Sequence, residues 1–255
     1  MTVEADEKPR WFELGDRLMW PLVGMGVATA RSHRLSTPDL QALAELAICH
    51  HAGCLEASNY ANRRGKHSPA ICLIRQSVEA LTIAEIGIQR REFAEPLLLG
   101  WKNGKKSHGE LRKALEQDVW ASYGTGLWDE TWAEFYGNLA RAVQPYAHYT
   151  SELQGWQFAT VDYEGGREFT AMFGLETYDA LQATRVTFFH MLLTYMLGRI
   201  LLAQRRNSDV MARRADIVEL GKALGSSKLL FKRGEWWAQL APNMLFKPGH
   251  DWHDT

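Results

Sequence analysis

The chain has 255 residues, which is enough for one large domain or two small ones with a packed core. Hydrophobic residues make up 46% and charged residues 23%, the balance of an ordinary soluble globular protein. The net charge of −1 argues against a surface that is basic throughout for binding nucleic acid, and leaves only a local basic patch as an option.

Cysteine usage and hydropathy favour a cytoplasmic protein with no membrane association. The three cysteines are odd in number, and Cys49 and Cys54 lie five apart in a helical pattern, which does not suit a disulfide framework. The first ten residues are acidic and polar and lack the apolar core of a signal peptide. The most apolar run, residues 186–197, is too short to span a bilayer and contains a histidine, which indicates a buried helix.

The first interpretable elements form a helical pair. We leave residues 11–34 unassigned. Thr37 followed by Pro38 is an N-cap with proline at the first helical position, and helical periodicity continues to about residue 62. Ser68 and Pro69 repeat this start signal before a helix that is apolar on most sides and therefore expected to be central. The short glycine-containing turn between them predicts an antiparallel pair.

The rest of the chain also reads as mainly helical. Ser107 and Glu110 form a capping box that opens a third helix, ending near residue 120. The hydrophobic pattern changes at residues 156–173. Weak alternation of apolar and polar residues around a glycine turn there indicates a short β-hairpin or a lid-like loop. The fold class is therefore predicted as all-α, a single domain built on long antiparallel helices. The further predicted helices span about 129–144, a continuation past Pro145 to about 153, 176–206 as the longest, and 208–224.

The candidate site lies in the segment LARAVQPYAHYT, residues 139–150, where six residues separate Arg141 from His148. On one unbroken helix this spacing would place both side chains on the same face. Pro145 lacks an N–H and its ring clashes with the carbonyl of Arg141, so the helix is expected to kink or end there. His148 then lies in the first turn after the break. Their separation along the axis is about 10 Å, short enough for both to reach one phosphodiester.

Such a pair supports a definite chemistry. Arginine neutralises the charge that develops on phosphate oxygens, and histidine takes or gives a proton near neutral pH. Together they can cleave RNA without a metal, through attack of the 2′-hydroxyl and formation of a cyclic phosphate. The alternative is an ordinary solvent-facing arginine at a helix bend and a histidine that packs locally.

Two stretches resemble a known superfamily. IRQSVEALTIAEIG, residues 74–87, and FYGNLARAVQPYAHYTS, residues 135–151, resemble segments of an uncharacterised bacterial group related to the HEPN superfamily. Members of the superfamily carry an arginine and a histidine with four to six residues between them. The resemblance implies a single HEPN-like helical domain over residues 1–255, with a core at about 38–205 and a C-terminal extension at 206–255.

The resemblance also implies a function. Many members are metal-independent ribonucleases of toxin–antitoxin or phage-defence systems and act as homodimers with the two motifs at the interface. On that basis Arg141 would stabilise the transition state and His148 would act as acid or base, with Tyr149 beside it. RNA or a nucleotide, and an antitoxin or defence protein, become the expected partners, and no cofactor is expected. The alternatives from the residues alone are a non-catalytic interaction module and a helical binder of a small ligand.

Two further groups of charged residues are candidates for a role at this site. Arg75 and Glu79 share a helix face, either to orient Arg141 or His148 from behind or as a purely structural pair. A basic turn at residues 63–67 is a candidate phosphate track or simply a solvated helix end. Its cations are Arg63, Arg64 and Lys66.

Metal and base-stacking signals are weaker. His50 and Cys54 lie four apart but lack a second ligand pair, so no metal site is predicted. The aromatic residues around the fourth helix are interpreted as core, with base stacking as the alternative. They are Trp128, Trp132, Phe135 and Tyr136.

Overall fold

The computed structural model describes residues 8–33, 35–148, 153, 156, 158–163, 166–171, 178–204 and 208–230. This part of the chain is the predicted all-α bundle, with one small β-hairpin. Two 3₁₀ helices, Trp120–Tyr123 and Gln144–Ala147, follow the fifth and sixth helices. The α-helices are α1 (Arg10–Ser32), α2 (Pro38–Arg63), α3 (His67–Gly87), α4 (Arg91–Lys102), α5 (His108–Asp118), α6 (Trp132–Val143), α7 (Ala180–Gln204), α8 (Ser208–Ala212) and α9 (Arg214–Gly225).

The helices α2 and α3 form the antiparallel pair on which the bundle is built. Thr37 caps α2 as predicted, since its hydroxyl accepts the Leu40 N–H at 3.3 Å and Pro38 is the first helical residue. Gly65 turns the chain with φ of +73°, a conformation that glycine adopts at little cost. The predicted central position of α3 is confirmed, because most of its side chains are buried.

The predicted start of α3 was wrong. The helix begins at His67, with Lys66 at the N-cap position and no side-chain cap, whereas Ser68 lies buried inside the first turn. The side chain of His67 instead bonds to the preceding helix, since its Nδ1 donates to the Asn62 side chain at 2.7 Å. Pro69 is tolerated because N–H groups in a first turn have no partner in the helix.

The unassigned N-terminal region is α1, which packs against α2, α7 and α9. Leu14, Leu18 and Leu22 are fully buried and recur every fourth residue, so one stripe of α1 enters the core. Pro21 lies inside the helix and removes the bond to the carbonyl of Arg17. This proline and the nearby glycines are unfavourable inside a helix, so the sequence pattern did not indicate α1. The stability of α1 comes from tertiary packing.

The helix α7 is apolar on nearly every side. It is long and apolar enough to cross a membrane by length and composition, but 78% of its most apolar window is buried inside the bundle. The core helix of a globular protein has the same composition, so this feature is weak evidence on membrane association. Within the described residues α2, with 26 residues, is longer than α7, with 25.

Several predicted boundaries moved. The fifth helix ends at Asp118, and α6 begins at Trp132 because Thr131 and Glu134 form a second capping box beside the confirmed one at Ser107. The predicted helix at 208–224 is interrupted at Arg213. The hairpin is present as an antiparallel pair, β1 (Phe158–Tyr163) and β2 (Gly166–Ala171).

Candidate functional site

The break at Pro145 is confirmed, and it ends α6. The α-helix stops at Val143, the chain tightens into the 3₁₀ turn 144–147, and His148 is extended with φ of −136° and ψ of 171°. The predicted helical continuation was therefore wrong at His148, and residues 149–152, including Tyr149, lie outside the described residues. Pro145 has no N–H to bond to the carbonyl four residues earlier, and its ring clashes with that carbonyl, which explains the end of α6. The expected displacement of Gln144 from helical angles was wrong, since Gln144 has φ of −55° and ψ of −41°.

The two candidate catalytic side chains are both exposed, on either side of this break. Arg141 lies in the last turn of α6, where its guanidinium donates to the Asn138 side chain one turn earlier. A cation at this end of a helix also interacts favourably with the partial negative charge of the last carbonyl groups. The two side chains do not share a helix face, because the helix does not reach His148.

The Pro145 segment lies at the same end of the bundle as the α2–α3 turn. Buried Arg185 of α7 interacts electrostatically with Tyr146 in the 3₁₀ turn and with Asp179 at the start of α7. The Asp179 backbone N–H donates to His67 Nε2 at 3.1 Å, and His67 is the first residue of α3. These contacts connect three chain segments that the sequence could not place relative to one another.

The basic turn at this end is exposed and flanked by aromatic rings. The side chains of Arg63, Arg64 and Lys66 are all exposed. The Arg64 guanidinium lies 4.8 Å from the ring centroid of Tyr60, which is 61% exposed. Tyr178, 62% exposed, packs its ring edge-to-face against His67 with centroids 6.0 Å apart. Exposed tyrosines beside cations are a suitable surface for stacked bases.

Arg75 and Glu79 form the predicted ion pair, with Arg75 Nη2 2.6 Å from Glu79 Oε1. The charged groups of α5 join them, since His108 interacts electrostatically with Glu79, Arg112 and Arg75. Burial lowers the pKa of His108, the Glu79 carboxylate opposes this, and the two guanidinium groups add to it. We call Arg75, Glu79, His108 and Arg112 the Arg75 cluster. The proposed orientation of Arg141 or His148 by this pair stays a prediction.

A polar seam runs through the core between α2, α3 and α7. His190 Nε2 donates to Ser58 Oγ at 2.8 Å, and Ser58 Oγ in turn donates to the Ala70 carbonyl at 2.9 Å. Burial lowers the pKa of His51 to about 4 and that of His190 to about 3, so both rings are neutral near pH 7. The members of the seam are His51, Ser58, Asn62, His67, Ser77 and His190.

A buried acid was not found by the sequence reasoning. Glu85 is fully buried on α3, and its Oε1 accepts the Trp120 Nε1–H at 2.8 Å. Burial raises the pKa of Glu85 to about 7, against the opposing hydrogen bonds from Trp120 and Tyr123. The position of Glu85 among the apolar residues of α3 was the signal in the sequence that could have indicated its burial.

The aromatic residues around α6 lie where the sequence predicted them. Trp132, Phe135 and Tyr136 are fully buried and Trp128 is half-buried, so these rings are core residues. His50 Nε2 lies 3.5 Å from Cys54 Sγ. Among the described residues no group of three or more potential ligands lies together in an arrangement that could hold a metal.

No protein-family model, no curated protein and no solved structure matches this chain. The case for a function therefore rests on the chain's own residues. Those residues define a helical bundle with one end that carries exposed cations, an exposed imidazole and exposed tyrosines.

Proposed function

We propose that the protein is a HEPN-like homodimer that binds RNA at the end of the bundle carrying Arg141 and His148, and cleaves it without a metal. The 2′-oxygen attacks the phosphorus, the bond to the 5′-oxygen breaks, and the products are a 2′,3′-cyclic phosphate and a 5′-hydroxyl. His148 relays the proton, and Arg141 stabilises charge on the phosphate oxygens. We further propose that the protein acts in the cytoplasm, as part of a toxin–antitoxin or phage-defence system.

The observation that carries the proposal is the connection between the Pro145 segment and the basic turn. The chain of contacts from Tyr146 through Arg185 and Asp179 to His67 supports placing Arg64 and Lys66 at the same end as His148. A phosphodiester at His148 would then have cations for its neighbouring phosphates.

The exposed tyrosines support RNA as the ligand. Tyr60 and Tyr178 flank the basic turn and expose more than half of their surface. Single-stranded bases stack on exposed aromatic rings, and cations beside the rings favour the same ligand. Unstacked bases are available in single-stranded RNA, so loops and ends are the expected targets.

The first experiment is an RNA-cleavage assay without added metal and in the presence of EDTA. Wild-type protein should produce fragments with 2′,3′-cyclic phosphate ends, detected by mass spectrometry, and His148→Ala should lose at least about 100-fold in rate. His50→Ala is the matched control, because His50 is an exposed histidine on α2 and should retain full activity. Equal activity of all three proteins would assign the cleavage to a contaminant.

A binding assay tests the basic turn separately from the proposed catalytic residues. Replacing Arg63, Arg64 and Lys66 together by Gln should weaken binding of single-stranded RNA and reduce its salt dependence by about three phosphate contacts. Intact RNA with a confirmed dimer and no salt-dependent binding would contradict the proposal and favour the non-catalytic interaction module instead.

A further inference from the structure

The Arg75 cluster has more hydrogen-bond donors than acceptors. Four of its buried nitrogens have no hydrogen-bond partner among the described residues: Arg75 Nε, Arg75 Nη1, Arg112 Nη1 and His108 Nδ1. At least three of these carry a proton in every state, because guanidinium does not deprotonate in proteins. Unpartnered buried donors are rare and each costs free energy, so three or more in one place indicate an acceptor that these residues do not supply.

The charges of the cluster do not balance either. Its charged groups are two guanidinium groups and the single carboxylate of Glu79, which leaves the cluster with a net positive charge. The side chain of Arg75 is only 10% exposed, so water has little access to its Nε and Nη1, which Glu79 does not bind. The Glu79 side chain is 30% exposed, and His108 and Arg112 are half-buried, so the cluster reaches solvent between α3 and α5.

The protein fixes these side chains from both sides. Ser107 and Glu110 form the capping box that begins α5 at His108, and Arg112 follows one turn later on the same helix. On the inner side, the Arg112 cation interacts with the Tyr136 hydroxyl, whose hydrogen bond with Thr82 joins α6 to α3. The donors therefore belong to helices held in place by the core.

We propose that the Arg75 cluster binds a phosphate group, in addition to the RNA proposed to bind at Arg141 and His148. Two arginines and a histidine supply donors for several phosphate oxygens, and an arginine can bind two of them at once. The partial positive charge at the N-terminus of α5 acts in the same direction. The phosphate would satisfy the unpartnered donors and compensate the excess positive charge.

An aromatic ring beside the cluster favours a phosphate that belongs to a nucleotide. The ring of Trp101 lies edge-on to His108 with centroids 5.9 Å apart, and it is only half-buried. A base attached to the bound phosphate could stack on this ring. A small nucleotide bound here would be a ligand of the bundle in its own right, whether or not the protein cleaves RNA.

The test measures ligand binding by isothermal titration calorimetry on the full-length protein. The probes are inorganic phosphate, AMP, adenosine and a sugar phosphate. Inorganic phosphate should bind, AMP should bind at least tenfold more tightly, and adenosine should bind weakly or not at all. Equal binding of AMP and the sugar phosphate would retain the phosphate site and reject the nucleotide.

Matched variants locate the site. Arg112→Gln should weaken phosphate binding at least tenfold, and His108→Gln should weaken it less. Lys113→Gln removes one positive charge from the adjacent, exposed position of α5 and should bind as the wild type does. Arg112 and His108 are half-buried, so these variants are expected to fold, which circular dichroism would verify.

The outcomes are separable from those of the RNA assay. Loss of RNA cleavage in His148→Ala with phosphate binding intact supports two sites. Failure of inorganic phosphate, AMP and the sugar phosphate to bind at 20 mM would overturn the inference, as would equal binding by Arg112→Gln and the wild type. Neither result would bear on the proposed ribonuclease.

Discussion

At the scale of single residues, Glu85 shows how strongly burial changes an ordinary side chain. Its carboxyl group is fully buried, and the Trp120 indole is its hydrogen-bond donor at Oε1. With a pKa of about 7 the group is largely protonated at mildly acidic pH and must ionise in the core above neutrality. The contribution of Glu85 to the free energy of unfolding therefore decreases as pH rises from about 4.5 through about 7.

We predict that Glu85→Gln stabilises the protein at high pH and not at low pH. Glutamine retains the acceptor for the Trp120 N–H and removes the ionisable group. The free energy of unfolding of the variant relative to wild type should increase by about 3 kcal/mol between pH 4.5 and pH 8, from the shift in the pKa. Urea titrations at the two pH values measure it. A difference that does not change with pH would contradict the prediction.

The sequence predicted part of the site at this scale. Arg75 and Glu79 pair as their spacing indicated, because two residues four apart on a helix are neighbours whatever the fold. His108 and Arg112 were not selected, since their approach to Arg75 depends on how α5 packs against α3. Glu85 was missed for the same reason, because its burial depends on the packing of Trp120 and Tyr136.

At the scale of elements, the close approach of α2 and α3 depends on one glycine. A Cβ atom on Gly87 would lie 2.3 Å from Ala44 Cβ and 3.2 Å from Ala44 Cα. Both clashing atoms are fixed by the backbone of α2, so the helices would have to separate. The pair that builds the bundle is therefore sensitive to a single methyl group at this position.

We predict that Gly87→Ala destabilises the protein by about 2 kcal/mol, the usual cost of overpacking a core. Gly137→Ala is the control, because Gly137 lies within α6 and its added Cβ would meet no atom within 4 Å. Alanine there should stabilise the helix by about 0.5–1 kcal/mol. Thermal unfolding of both variants measures these effects. Equal melting temperatures for the two variants would contradict the proposed role of Gly87.

Some local signals predicted the structure well, although the capping box of Thr131 and Glu134 at the start of α6 was missed. The cap at Thr37, the capping box at Ser107 and the break at Pro145 depend on a few neighbouring residues, and all three are confirmed. The start of α3 and the existence of α1 depend on tertiary contacts such as that of His67 with Asn62. Local chemistry could not indicate those contacts.

At the scale of the whole molecule, the polar seam makes stability depend on pH. Burial lowers the pKa of both His51 and His190, so the folded protein resists protons that the unfolded chain accepts below about pH 6.5. Their stabilising effect is complete above that pH and declines as pH falls toward about 4. Glu85 acts in the opposite direction over part of this range, whereas His67 and His108, whose pKa values burial also lowers, act in the same direction as His51 and His190.

We predict that the wild-type free energy of unfolding falls by roughly 1 kcal/mol per pH unit between pH 6.5 and pH 5, the effect of about one net proton taken up on unfolding. His190→Gln should reduce this slope, because one of the buried imidazoles is removed. Urea titrations across the range give the slope for both proteins. A flat profile, or a wild-type stability that rises toward pH 5, would show that the seam does not titrate in this way.

The polar seam also affects how α2, α3 and α7 align along their axes. Its hydrogen bonds join helices that are distant in the chain, as in the bonds of Asn62 to the Ala183 carbonyl and of His190 to Ser58. Sliding α7 along its neighbours by one turn, about 5.4 Å, would place these polar groups against hydrocarbon. The seam therefore selects one axial alignment of three helices whose aliphatic surfaces alone would accept several.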